Sequence, residues 1–317
     1  MRIIDTHVHL YPAEVGVDPA GWAARNGELH WAALCARRRR DGRPVQTFPS
    51  VDQLLRDMDA GGVEKAVLLG WYWERPETCV WQNRFYADCV RAHPDRLAAF
   101  ATVHPAIGEA AVLEEIRGAR VAGFCGLGEL SPHSQHWAID DPVLGMALEL
   151  AGELGIPVNL HVTDPHGRRY PGRVETPLND FRRLARAHPR TRFVLAHWGG
   201  GLPFLEADPV IRDDLANVVY DTAASPLICD ARIWRTVLDA ILPGRVLFGS
   251  DYPLVLYPRT ETVPGWRGIL AEIDQAGLDS SEKARLLAGN AAEMLHIQRE
   301  DPSSGGAEAP GQGFLPN

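Results

Sequence analysis

Short apolar, β-branched runs alternate with amphipathic stretches along nearly the whole chain, and no other feature restricts the fold as strongly. Eight strand-like segments can be read: 2–10 (RIIDTHVHL), 65–73 (KAVLLGWYW), 97–105 (LAAFATVHP), 123–130 (GFCGLGEL), 157–163 (PVNLHVT), 192–200 (RFVLAHWGG), 217–223 (NVVYDTA) and 245–253 (RVLFGSDYP). The segments between them carry apolar residues at helical spacing, as in SVDQLLRDMDAGGV, with Ser50 or Asp52 as N-cap and Gly61 and Gly62 as the stop. Alternating strand and helix patterns mark parallel βα units, and eight units close a barrel. The sequence therefore predicts an α/β fold, a (β/α)8 TIM barrel with a metal site at the C-terminal ends of its strands. A last helix, SSEKARLLAGNAAEMLHI, is expected to pack on the outside.

No linker or shift in composition divides the chain, so residues 1–300 read as a single domain. Residues 11–49 exceed the usual connection and read as an active-site flap. Residues 301–317, rich in Gly, Pro and Ser, read as a disordered tail. A formal net charge of −9 argues against nucleic acid as a partner, and Arg37 to Arg40 read as a solvated run. No stretch approaches the roughly 20 apolar residues of a membrane span, and no leader pattern is visible, so a cytoplasmic location is expected. The 5 cysteines are scattered without Cys-x-x-Cys spacing and read as reduced thiols. Neither a nucleotide-binding glycine loop nor a Gly-x-Ser-x-Gly elbow is present.

Six ionisable residues interrupt the apolar strands at or just before their predicted exits. His7 and His9 close the first strand, Glu129 the fourth, His161 the fifth, His197 the sixth and Asp251 the eighth. Residues i and i+2 of a strand share a face, so His7 and His9 project together. Taken singly, His161 also fits a hydrogen-bonded core histidine, His197 a cap on the glycine-rich turn, and Asp251 a helix N-cap. A carboxylate such as Glu129 at the end of an apolar strand is costly without a cation or donors. In a closed barrel these exits converge on one mouth, and imidazoles mixed with carboxylates are what zinc or a similar divalent ion coordinates.

The pieces DTHVHL, GLGEL, PVNLHVT, VLAHWGG, VLFGSDYP and LLAGNAAEML together resemble the amidohydrolase superfamily, specifically the amidohydrolase-related branch that includes aminocarboxymuconate-semialdehyde decarboxylase. The resemblance extends from residue 1 to about residue 297. It implies that His7, His9, His161 and Asp251 bind a divalent metal, Zn2+ being expected. His197 would be an acid/base beside one ion or a ligand of a second. Much of the superfamily has a carboxylated lysine where Glu129 stands; a bridging glutamate resembles the deoxyribonuclease-like branch and leaves one or two ions open.

The reading that follows is a metal-dependent hydrolase, with Asp251 and His197 as catalytic residues and a metal-activated water attacking a small-molecule amide, lactone or ester. Its alternative is a non-oxidative decarboxylase or hydratase of an aromatic or muconate-type acid at the same site. Trp71 and Trp73, after the second strand, are expected to face substrate, with Arg168 and His133 as further contacts. The resemblance also implies a homodimer.

Overall fold

The computed structural model describes residues 1–297; the 301–317 segment expected to be a tail lies outside them. Strands β1 (Ile4–Val8), β2 (Lys65–Leu69), β3 (Leu97–Ala101), β4 (Gly126–Leu130), β5 (Val158–Leu160), β6 (Phe193–Leu195), β7 (Val218–Asp221) and β8 (Val246–Leu247) run parallel in sequence order in one sheet. The sheet is drawn into a ring where β1 meets the chain leaving β8. There the Thr6 N–H donates to the Phe248 carbonyl (2.8 Å), the His9 N–H to the Tyr252 carbonyl (2.7 Å) and the Asp251 N–H to the His7 carbonyl (2.9 Å). This is the TIM barrel that the alternation predicts.

The ladders are shorter than the apolar runs, because the chain leaves the sheet as it reaches the mouth. In 245–253 only Val246–Leu247 pair as a strand, and Asp251 adopts a left-handed φ of 69°. The register of β1 shifts between Asp5 and Val8, and that of β4 between Leu127 and Leu130. Such irregularities re-aim side chains at barrel rims, and both fall where the candidate ligands leave the sheet.

The helices form where capping and periodicity agree. In helix Val51–Gly61 the Ser50 hydroxyl accepts from the Gln53 N–H, Leu54 and Met58 are buried, and Gly62 ends the helix at a φ of 68°. In helix Pro142–Glu153 Asp141 caps, Pro142 opens the first turn, and Leu144, Ala147, Leu148 and Ala151 face the sheet. Burying a stripe of this kind contributes about 1.5–3 kcal/mol per large side chain.

Two cores result. Outward-facing strand residues such as Leu68, Ala99 and Leu127 pack against helices, while Ile4, Val67, Leu69, Phe100, Val194 and Leu247 form a separate inner cluster. The final helical segment corrects the expectation of outside packing. Ala288, Ala291, Met294 and Leu295 join the inner cluster and seal the barrel at the end opposite the strand exits.

Residues 11–49 contain three short helices, Ala13–Val17, Pro19–Asn26 and Leu29–Trp31, and a π-helical turn, Ala32–Ala36. Tyr11, Trp22, Trp31 and Cys35 pack there against Trp71, Tyr72 and Trp73 in a third cluster. Among the described residues no helix is long and apolar enough to cross a membrane.

Candidate metal centre

The β1 irregularity keeps both histidines of the opening motif on the inside of the mouth, with the Nε2 atoms of His7 and His9 3.2 Å apart. Their far nitrogens are already engaged. His7 Nδ1 lies 2.9 Å from Asp221 Oδ2, and His9 Nδ1 lies 3.1 Å from the Leu69 carbonyl. A carbonyl only accepts, so His9 donates there and presents a bare Nε2 lone pair. Room for His7 comes from Gly249, where an added Cβ would fall 2.7 Å from His7 Cβ.

Glu129 reaches the same space from β4. The preceding Gly128 lies so close to β5 that an added Cβ would stand 2.3 Å from the Asn159 carbonyl oxygen, at a φ of +121°; only glycine takes that position without displacing a strand. One Glu129 oxygen lies 2.9 Å from His161 Nδ1 and 3.6 Å from His197 Nε2, and the other 3.6 Å from His9 Nε2. His197 uses Nδ1 on the Ala223 carbonyl at 3.1 Å, which again leaves Nε2 facing inward. Asp251 Oδ1 stands 3.7 Å from His9 Nε2, and Asp251 Oδ2 4.0 Å from His197 Nδ1.

All six expected ligands therefore meet at the mouth. Three subsets have one ligand atom each within 4.8 Å of the others: His7, His9 and Glu129; Glu129, His161 and His197; and His7, His197 and Asp251. Glu129 belongs to two of them, which is the arrangement a bridging carboxylate would take.

The electrostatics call for a cation. Burial pushes the His7 imidazole down, yet Asp221, Glu129 and Asp251 reverse this and carry it up to about 10. Burial and the adjacent His7 push His9 down to about 3. Burial opposes the ionised form of Glu129 too, but His161, His197 and His7 hold its carboxyl well below the usual range. Burial raises Asp251 to about 7, with His7 and His197 pulling the other way. A proton on His7 thus answers the buried negative charge, and a divalent ion among converging imidazole nitrogens would answer it more fully. The donor set fits such an ion.

The expected substrate contacts fall in different places. Trp71 is at the mouth, its ring 4.9 Å from that of His9 and stacked on Tyr72 at 4.4 Å. Trp73 instead packs against Tyr11, Trp22, Trp31 and Trp81, and its indole N–H donates to Gln82 Oε1 at 2.7 Å. His133 is taken up by Asp180, Nε2 to Oδ2 3.0 Å. Arg168 is exposed in the loop after β5.

Two further residues stand at the site: Tyr72, which the sequence places with Trp71 and Trp73 at the exit of the second strand, and Asp221, which the sequence reading does not single out. Tyr72 is 98 % buried, with its ring 5.0 Å from that of His161. Asp221, fully buried at the end of β7, touches His7 and accepts from Asn159 Nδ2 (3.0 Å) and the His197 and Ala223 N–H groups (both 3.0 Å). Its signal was present in VVYD, a carboxylate ending an apolar strand.

An eight-stranded parallel barrel whose strand exits gather four imidazoles and two carboxylates defines the metal-dependent barrel enzymes as a class. The chain belongs to the amidohydrolase family, whose model matches residues 4–297, and is an enzyme of that family. Comparison with curated proteins finds no match. Among solved structures, 5-carboxyvanillate decarboxylase from Sphingomonas paucimobilis is similar at 20% identity and a TM-score of 0.70, covering 94% of this chain and 99% of that one. The Novosphingobium aromaticivorans 5-carboxyvanillate decarboxylase, complexed with manganese and 4-hydroxy-3-methoxy-5-nitrobenzoic acid, gives 17%, 0.70, 93% and 96%. A structure assigned as a 2-pyrone-4,6-dicarboxylic acid hydrolase from Acinetobacter baumannii, with citric acid bound, gives 16%, 0.61, 94% and 100%.

Proposed function

We propose that this enzyme is a divalent-metal-dependent, non-oxidative decarboxylase of an aromatic carboxylic acid. The observation that carries the reading is the stacked Trp71–Tyr72 pair set against two candidate metal ligands, His9 and His161. A flat, buried aromatic wall beside a cation suits a substrate that is itself a ring bearing a carboxylate. Likeness over nearly the full length to two aromatic-acid decarboxylases supports this over the hydrolase reading.

His7, His9, His161 and Asp251 would hold the ion, with Glu129 and His197 alongside. When bound, it supplies a Lewis acid for substrate oxygens and offsets carboxylate charge. Imidazole and carboxylate donors suit zinc and manganese alike, and manganese in a similar structure favours it. Asp251 supplies the proton. In the metal-free protein burial raises its carboxyl against the pull of His7 and His197; with the ion bound it would take up a proton from solvent in each turnover and act as the general acid. The proton passes to the ring carbon that carries the carboxylate, the carbon–carbon bond breaks with its electron pair returning to the ring, and carbon dioxide leaves. Solvent then reprotonates Asp251. Trp71 and Tyr72 hold the ring plane and exclude water.

Hydrolysis of a lactone or ester is the second reading, favoured by one observation, the sharing of Glu129 between two ligand sets. Incubating the metal-loaded enzyme with a panel of hydroxybenzoic acids and 2-pyrone-4,6-dicarboxylate separates the two. Carbon dioxide matched by a decarboxylated ring supports the proposal; a ring-opened acid without carbon dioxide supports hydrolysis.

A further inference from the structure

Trp71 lies past Leu69, the last residue of β2, so no strand pairing holds the ring that is set against His9. Its main-chain groups go instead to side chains of neighbouring elements. The Trp71 N–H donates to Gln82 Oε1 at 2.7 Å, and the Trp71 carbonyl accepts from the Thr102 hydroxyl, also at 2.7 Å. Gly70 permits this close approach, since an added Cβ there would stand 2.6 Å from Thr102 Cβ. Thr102 is held in turn by Asn83, whose Oδ1 accepts from the Thr102 N–H at 2.9 Å and whose Nδ2 donates to the Thr102 carbonyl at 2.8 Å.

Gln82 and Asn83 are consecutive residues of helix Pro76–Ala92, and both are buried, Gln82 completely. A buried side-chain amide is costly unless its donors and acceptors are matched. Gln82 matches all of its own. Oε1 takes the Trp73 indole N–H as well as the Trp71 N–H, at 2.7 Å each, while Nε2 reaches the Tyr86 hydroxyl at 3.1 Å and the Leu10 carbonyl at 3.4 Å. Both tryptophan groups can only donate, which fixes the amide orientation. Tyr86, one turn further along the helix, has its hydroxyl 2.9 Å from the Leu69 carbonyl, which also accepts from His9 Nδ1 at 3.1 Å. Gln82 therefore links the backbone beneath the Trp71 ring, through Tyr86, to the carbonyl that orients a candidate metal ligand.

We propose that Gln82 is a positioning residue for substrate, fixing the Trp71 ring relative to the ion site and thereby setting the affinity for the aromatic acid. The inference rests on the reading of Trp71 as a substrate contact. It adds a residue that touches neither substrate nor ion. Because Gln82 acts through Trp71, loss of either removes the same contact, and the two losses are not additive.

A double-mutant cycle in KM tests this. Gln82→Met matches the side chain in length and removes its hydrogen bonds; Gln82→Asn keeps an amide that is one methylene too short for the Trp71 N–H. Each is combined with Trp71→Leu in the metal-loaded full chain, and variants with wild-type metal content are assayed on whichever acid or lactone the wild type turns over. Each Gln82 substitution should raise KM by about tenfold, and each double variant should stay within about threefold of Trp71→Leu alone. Gln82→Glu, which when protonated keeps both an acceptor and a donor, should hold KM within about threefold of wild type. Double variants raised about a hundredfold, the product of independent effects, would overturn the proposal. So would an unchanged KM in either folded Gln82 variant, or Gln82→Glu as impaired as Gln82→Met. Loss of metal from both Gln82→Met and Gln82→Asn would overturn it too, by showing that Gln82 holds the ion site rather than the ring. The product is scored separately: ring opening in place of carbon dioxide release fails the decarboxylase reading and leaves the cycle intact.

Discussion

Asp221 Oδ2 lies 2.9 Å from His7 Nδ1, and the other oxygen of the same carboxylate accepts from the His197 N–H at 3.0 Å. One buried group on β7 thus orients ligands from β1 and β6. Replacement by asparagine keeps the shape but removes the charge that fixes the His7 ring. Asp221→Asn should weaken metal affinity by about 10–100-fold, the usual effect of losing a partner behind a metal-binding histidine. Competition with a chelator measures this, and an unchanged affinity would show that His7 is oriented by something else.

Metal binding should release protons. In the metal-free protein His7 keeps its proton up to about 10, through Asp221, Glu129 and Asp251 acting against burial, and Asp251 keeps its own up to about 7, through burial. Ligands bind metal in their deprotonated forms. Below the Asp251 value both His7 and Asp251 lose a proton, and between the two values His7 still does; His197, lowered by burial but raised overall by Glu129 and Asp251, adds to these wherever it is protonated, so affinity rises with pH, by about tenfold per pH unit for each proton released. Calorimetry in buffers of different ionisation enthalpy counts them: at least one at about pH 8 and more at about pH 6.

Trp71 touches His9 and stacks on Tyr72 without itself being a metal ligand. Trp71→Leu should therefore leave metal content intact and raise KM for an aromatic acid by about tenfold, in line with an aromatic contact of ~1.5 kcal/mol. Steady-state kinetics should show a smaller effect on kcat. A selective fall in kcat at constant KM would remove Trp71 from substrate binding.

Glycine substitutions should separate the site from the scaffold. At Gly128 an added Cβ would meet the Asn159 carbonyl at 2.3 Å with φ at +121°, whereas at Gly118, inside helix Glu109–Val121, it would meet nothing within 4 Å. Gly128→Ala should destabilise by about 3 kcal/mol or more and displace Glu129. Gly118→Ala should stabilise by up to ~1 kcal/mol. Denaturant unfolding of the two variants compares them.

The barrel and the convergence of its candidate ligands were legible because barrel chemistry interrupts apolar strands near their exits, and His7, His9, Glu129, His161, His197 and Asp251 all do so. Asp221 carries the same signal in VVYD and passed unread because it has no partner nearby in sequence. Trp71 and Trp73 cannot be told apart by alternation, since the chain has left the sheet at Leu69 and which ring faces the mouth depends on packing against residues 11–49. His133 was drawn away by Asp180, a partner 47 positions on. The last helical segment was misplaced for a related reason. Leu286, Leu287, Ala288, Ala291, Met294 and Leu295 are all buried, too wide an apolar surface for one outer stripe, and the π-helical turn Arg285–Gly289 shifts its phase toward the barrel floor.

The account rests on Asp251 as the proton source for cleavage of a carbon–carbon bond, and Asp251→Asn tests it most directly. The variant, at saturating metal and with an acid that the wild type turns over in deuterated water, should retain bound ion yet lose about a thousandfold or more in carbon dioxide release. The wild type should place one deuterium at the vacated ring carbon for each carbon dioxide. Near-wild-type release by the metal-loaded variant would contradict the account.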